Sequence, residues 1–104
     1  TEQVMIKLEI TNDGSKWWQQ SGKKHRANGP AVVTSVGDQY WWYNGQLHRT
    51  DGPALVGVSG YQAWYNQGQR HRTDGPARIL EDGQVEYWIN DKHVTEYEVM
   101  FMTG

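Results

Sequence analysis

One heptapeptide constrains this chain more than any other feature. His48-Arg49-Thr50-Asp51-Gly52-Pro53-Ala54 recurs unchanged as His71-Arg72-Thr73-Asp74-Gly75-Pro76-Ala77, and in looser form as His25-Arg26-Ala27-Asn28-Gly29-Pro30-Ala31. Pro30, Pro53 and Pro76 are the only prolines and stand 23 residues apart. Gly14, Gly37, Gly60 and Gly83 keep the same step, while His93 follows His71 after 22. A fixed period of this size is the signature of a repeat array, in which each unit covers its neighbour.

Each unit reads as a β-hairpin with a return strand. Asn44-Gly45 is a strong signal for a two-residue type I′ turn, whose central positions both need positive φ. Ser21-Gly22, Gln67-Gly68 and Asn90-Asp91 stand at the equivalent places, with a three-residue loop, Asn66-Gln67-Gly68, as the alternative in the third unit. Counting outward from these turns sets Trp41 opposite His48, Trp18 opposite His25 and Trp64 opposite His71. The fourth unit reads as shorter by one residue on each side of its turn, with Trp88 opposite His93. Directly opposed side chains are close enough to stack, so four Trp–His ring pairs are expected as structural repeats. Proline cannot donate to a ladder, so the Arg-x-Asp/Asn-Gly-Pro segment after each His must be a bulge or kink. Its Arg is expected to bond the turn carbonyls or the nearby Asp.

The ends differ from the units. Residues 1–12 read as a capping strand, since Val4, Ile6, Leu8 and Ile10 alternate with Met5, Lys7 and Glu9. Thr95-Glu96-Tyr97-Glu98 has the form of a capping box, which predicts a helical cap over 95–104, its apolar side on the last hairpin; a final strand is the alternative. Four hairpin units over 13–94 lie between. With 104 residues the chain allows one domain with a modest core. Six Trp and six Tyr against a single Phe suit a thin structure, because these rings bury much area and tolerate a wet edge.

The motif Trp42-Tyr43-Asn44-Gly45-Gln46-Leu47-His48, continued by Asp82-Gly83 and Tyr87 in a later unit, resembles the MORN repeat (membrane occupation and recognition nexus). The resemblance covers roughly residues 13 to 93. It departs after the His, where that family usually has Gly-x-Gly and this chain has Arg-x-Asp-Gly-Pro-Ala. In that departure, and in its Thr-Glu-x-Glu end, the chain is similar to short arrays of viruses, bacteriophages especially. The resemblance implies an elongated single-layer antiparallel sheet and a role in protein association. If the chain is viral, its small size makes an inhibitor that blocks a host enzyme or defence complex the expected role.

Composition narrows the function. A net charge of −2 argues against a general nucleic-acid binder. Without cysteine there is no disulfide and no thiolate zinc site, which fits a reducing compartment. No membrane span or signal peptide is read, so the cytoplasm is expected, a host's if the chain is viral. Successive histidines two strands apart, roughly 9–10 Å, cannot share a metal ion. His48, Arg49 and Asp51 resemble an acid–base set, but the set is repeated, Asn28 replaces the acid, and a catalytic site needs one convergent cleft. No enzyme, metal or cofactor is therefore expected. Regular strand alternation gives a second face carrying Trp17, Lys24, Arg26, Tyr40, Trp42, Leu47, Arg49, Tyr65, Arg70 and Arg72. Trp, Tyr and Arg dominate binding hot spots, so this face, or a sheet edge, is the candidate contact with another protein. Glycan binding by the exposed rings and base stacking with single-stranded nucleic acid are the alternatives. A homodimer is compatible with an open sheet.

Overall fold

The tight bends that the sequence marks determine the architecture. A computed structural model of the protein describes residues 6–103; Thr1–Met5, which the strand reading includes, and Gly104 lie outside the described residues. Ser21, Asn44, Gln67 and Asn90 have φ near +50°, and Gly22, Gly45, Gly68 and Asp91 follow them at positive φ. All four hairpins thus close through two-residue turns, the third included. The opposite ends close with three-residue loops. In the second of these, Gly37 N–H donates to Thr34 O and Thr34 N–H to Asp38 O, both at 2.9 Å. Gly37 itself sits at φ 102, a conformation that only glycine enters freely.

The strands between these turns are β1 (Ile6–Ile10), β2 (Lys16–Gln20), β3 (Lys23–Lys24), β4 (Val32–Val33), β5 (Gln39–Tyr40), β6 (Trp42–Tyr43) and β7 (Gln46–Leu47). There follow β8 (Leu55–Val56), β9 (Gln62–Ala63), β10 (Tyr65–Asn66), β11 (Gln69–Arg70), β12 (Arg78–Ile79), β13 (Val85–Ile89), β14 (Lys92–Val94) and the helix α1 (Glu96–Thr103). One antiparallel sheet runs β1-β2-β4-β5-β8-β9-β12-β13-β14, with β3 beside β2. It is open, and the molecule measures 45 × 36 × 18 Å. The hairpin tips β6-β7 and β10-β11 form short ladders of their own.

The return strand of each of the first three units is broken in two. In the first, His25 N–H donates to Trp18 O at 3.0 Å and Trp18 N–H to Ala31 O at 2.7 Å. Both pieces therefore flank the same tryptophan, and residues 26–30 loop out as a strap. The same bonds recur at Trp41 with His48 and Ala54, and at Trp64 with His71 and Ala77. Ala31, Ala54 and Ala77 close the base of each strap and are fully buried, as is Ala63. Among the described residues no large side chain is fully buried, as expected of a sheet one layer thick.

The fourth unit corrects the sequence reading. β13 and β14 pair Trp88 with His93, but Tyr87 with Val94. The unit is not shortened: Asn90 stands 23 residues after Gln67, as Val94 does after His71. Tyr87 and Val94 occupy the Trp–His position, and Trp88–His93 lies one place nearer the turn. The C-terminal segment is a helix, closed by the predicted capping box: Glu98 N–H donates to Thr95 Oγ1 at 3.1 Å and Thr95 N–H to Glu98 Oε1 at 3.2 Å. Its apolar residues are not all turned inward. Val99 is buried, whereas Tyr97, Met100 and Phe101 are exposed. No helix among the described residues is long and apolar enough to cross a membrane.

Candidate functional site

The histidine, arginine and glycine of the repeated heptapeptide have distinct tasks. The histidine holds the next unit. His25 Nδ1 accepts the N–H of Asn44 at 2.9 Å, His48 Nδ1 that of Gln67 at 2.9 Å, and His71 Nδ1 that of Asn90 at 3.0 Å. The acceptors receive the first N–H of the following turn, a group that a positive-φ backbone directs away from its own hairpin. Flanking backbone bonds complete the joint: Arg26 N–H to Trp42 O at 3.1 Å and Gly45 N–H to Lys24 O at 2.9 Å.

The arginine covers the tryptophan of its own unit. The guanidinium carbons of Arg26, Arg49 and Arg72 lie 3.9, 3.8 and 3.9 Å from the ring centres of Trp18, Trp41 and Trp64. Their Nη1 groups donate to Pro30 O, Pro53 O and Pro76 O at 3.2, 3.0 and 3.0 Å. Arg49 Nε reaches Asp51 at 2.9 Å and Arg72 Nε reaches Asp74 at 2.8 Å. These hydrogen bonds from Arg hold the carboxyls of Asp51 and Asp74 below the usual range. The expected Arg contacts to turn carbonyl and Asp are thus both present. Glycine at the fifth position leaves room for the guanidinium that lies against it: a Cβ at Gly52 would stand 3.0 Å from Arg49 Cζ, and at Gly75 2.9 Å from Arg72 Cζ.

The expected Trp–His ring stacks form only once. Trp88 and His93 stack at 4.8 Å between ring centres. At Trp18–His25, Trp41–His48 and Trp64–His71 the backbones are partners, but an arginine takes the indole, and the imidazole turns to the next unit's N–H. His25 also meets Tyr43 of that unit at 4.4 Å. The chain leaves the strand after each histidine, so strand alternation no longer decides where the next side chain points. Arg26, Arg49 and Arg72 accordingly stack on the repeated tryptophans rather than joining a separate face.

The remaining candidate contact residues are brought together differently. Lys24 Nζ lies 4.9 Å from the Trp42 ring centre, and Arg70 Cζ 3.9 Å from that of Trp88. Leu47 holds the equivalent place before Tyr65, its O accepting from Gly68 as that of Lys24 does from Gly45. Trp17 and Tyr40 lie in the main sheet, each opposite Val32. Burial raises the Tyr65 hydroxyl above its usual range. Near the last unit, Glu86 is held low chiefly by the indole N–H of Trp88, which donates to it at 3.0 Å, and Arg78 adds a second bond at 3.1 Å. All of these residues are half-buried except Lys24, which is exposed.

What stays open is of three kinds. Two polar grooves of about 700 and 660 Å³ lie between successive straps, floored by Trp41 and Trp64. The outer edge of β1 is unpaired among the described residues. On α1, Tyr97, Met100 and Phe101 form an exposed apolar stripe, where the expectation set the helix's apolar side on the last hairpin; their i, i+3, i+4 spacing marks a shared face but not the way it turns. Among the described residues no group of three or more His, Asp and Glu side chains is placed to hold a metal ion. Fold and surface define an open array of antiparallel hairpin units. No family model matches the chain, and neither a curated protein nor a solved structure matches it.

Proposed function

We propose that this chain is a non-catalytic protein-binding module of the MORN-like kind. The observation that carries this reading is the α1 stripe: Tyr97, Met100 and Phe101 are 71, 65 and 76 % exposed, and the Tyr97 and Phe101 rings lie 5.3 Å apart. Exposed apolar clusters mark contact surfaces, and aromatic and Met side chains are enriched in them. A helix presenting i, i+3 and i+4 anchors suits an apolar groove on another protein. On this reading the partner is a host enzyme or defence complex that the chain blocks from within the cytoplasm, a role supported by the likeness of its repeats to viral and bacteriophage arrays. Glycan or base stacking draws less support, because five of the six indoles carry a guanidinium or an ammonium over one face.

Affinity purification from host lysate tests this, with wild type, Tyr97→Ser/Phe101→Ser and Arg49→Ala as baits. Wild type and Arg49→Ala should recover the same partner, and the double serine variant should lose it. Equal recovery by all three would remove the helix stripe as the contact.

A further inference from the structure

The open edge of β1 is written to pair with itself, and the geometry points to a homodimer formed across it. Trp18 turns both of its backbone groups away from β1, its N–H to Ala31 O and its O to His25 N–H. Leu8 is the β1 partner of Trp18. In an antiparallel ladder the two members of a pair share one hydrogen-bonding phase, so Leu8 turns its own N–H and C=O outward. Ile6 and Ile10 share that phase. Thr11, of the opposite phase, donates inward to Ser15 O at 2.9 Å. The free edge thus offers the backbone groups of Ile6, Leu8 and Ile10, whose side chains are 46, 49 and 63 % exposed.

The sequence Ile6-Lys7-Leu8-Glu9-Ile10 reads the same backwards except that its two charges change places. Two copies placed antiparallel about a two-fold axis at Leu8 set Leu8 against Leu8, Ile6 against Ile10 and Lys7 against Glu9 of the second copy. The outward phase at Ile6, Leu8 and Ile10 is the one this register needs. A one-residue shift of the axis would set Lys7 against Lys7 or Glu9 against Glu9, and directly opposed like charges repel. Charge therefore selects the partner, a second copy, and the register. A C2 contact of this kind is isologous and closes, so it covers the edge without forming a filament. It leaves the α1 stripe, at the far end of the sheet, free on each copy.

Sedimentation equilibrium of the full chain, without any partner, tests this. The wild type is expected as a dimer, twice 12.0 kDa. Lys7→Glu and Glu9→Lys should each weaken dimerisation by about tenfold or more, since two attractive pairs become repulsive. An equimolar mixture of these two variants should regain it as a heterodimer, which a mere folding defect could not do. Tyr97→Ser/Phe101→Ser should dimerise like wild type, which separates this result from the fate of the helix stripe. A monomeric wild type, single charge variants that dimerise as well as wild type, or a mixture that stays monomeric would each overturn the proposal.

Discussion

The glycine of each strap is where a single methyl group meets a charge. Gly29, Gly52 and Gly75 do not have positive φ, so what each supplies is room: an added Cβ would lie 3.3, 3.0 and 2.9 Å from the guanidinium carbon beneath. The arginine tip can move aside, but only by leaving its indole. Gly75→Ala is therefore expected to cost about 0.5–2 kcal/mol, the worth of the cation–π contact it displaces. Gly29→Ala should cost less, because the room there is greater. Urea denaturation of the two variants against wild type checks the order. The residue types were legible in the sequence and their partners only partly. The Arg–Asp bond followed from proximity in the chain. The Arg–Trp stack did not, because it depends on a strap that reverses the side chain's direction, and strand alternation holds only while the backbone stays in the strand.

At the scale of the element, the hairpin depends on its successor. Asn44, Gln67 and Asn90 each give their N–H to an imidazole of the preceding unit. Of the three acceptors His25 alone is buried, at 6 % exposure. His25→Ala should leave a partly enclosed N–H without acceptor and cost about 1–3 kcal/mol. His48→Ala should cost less, and His93→Ala least, since His93 accepts no such bond and is exposed. Thermal unfolding of the three variants gives the ranking. The hairpins were the most legible level, because a two-residue I′ turn fixes register by counting. The error in the fourth unit came from aligning on the tryptophan and histidine. The turn glycine gives the true register, since Asn90 follows Gly83 by the seven residues that separate Asn44 from Gly37.

At the scale of the molecule, cohesion passes from each unit to the next. The inter-unit bonds join residues 19 positions apart, from His25 to Asn44 and again in the two later joints. An extra unit should therefore add without disturbing the others, as in a one-dimensional array. A second copy of residues 41–63 inserted after Ala63 is expected to fold and to lengthen the particle by roughly 9–10 Å, the width of two strands. Small-angle scattering would read this as a larger maximum dimension; an unfolded or unlengthened product would contradict it. The open sheet and its helical end were legible from period and capping box. The outward turn of Tyr97, Met100 and Phe101 was not, because the same spacing serves a core face and a contact face alike.

The clamp at the base of each strap carries a further consequence. Because Trp41 closes its strap with both backbone groups, to His48 and to Ala54, the exposed apex at Thr50 is insulated from the ladder below. Ala27 and Thr73 share that position. The molecule is thus a comb with three evenly pitched teeth, and a foreign peptide grafted at one tip would be displayed on a rigid back that does not register its presence.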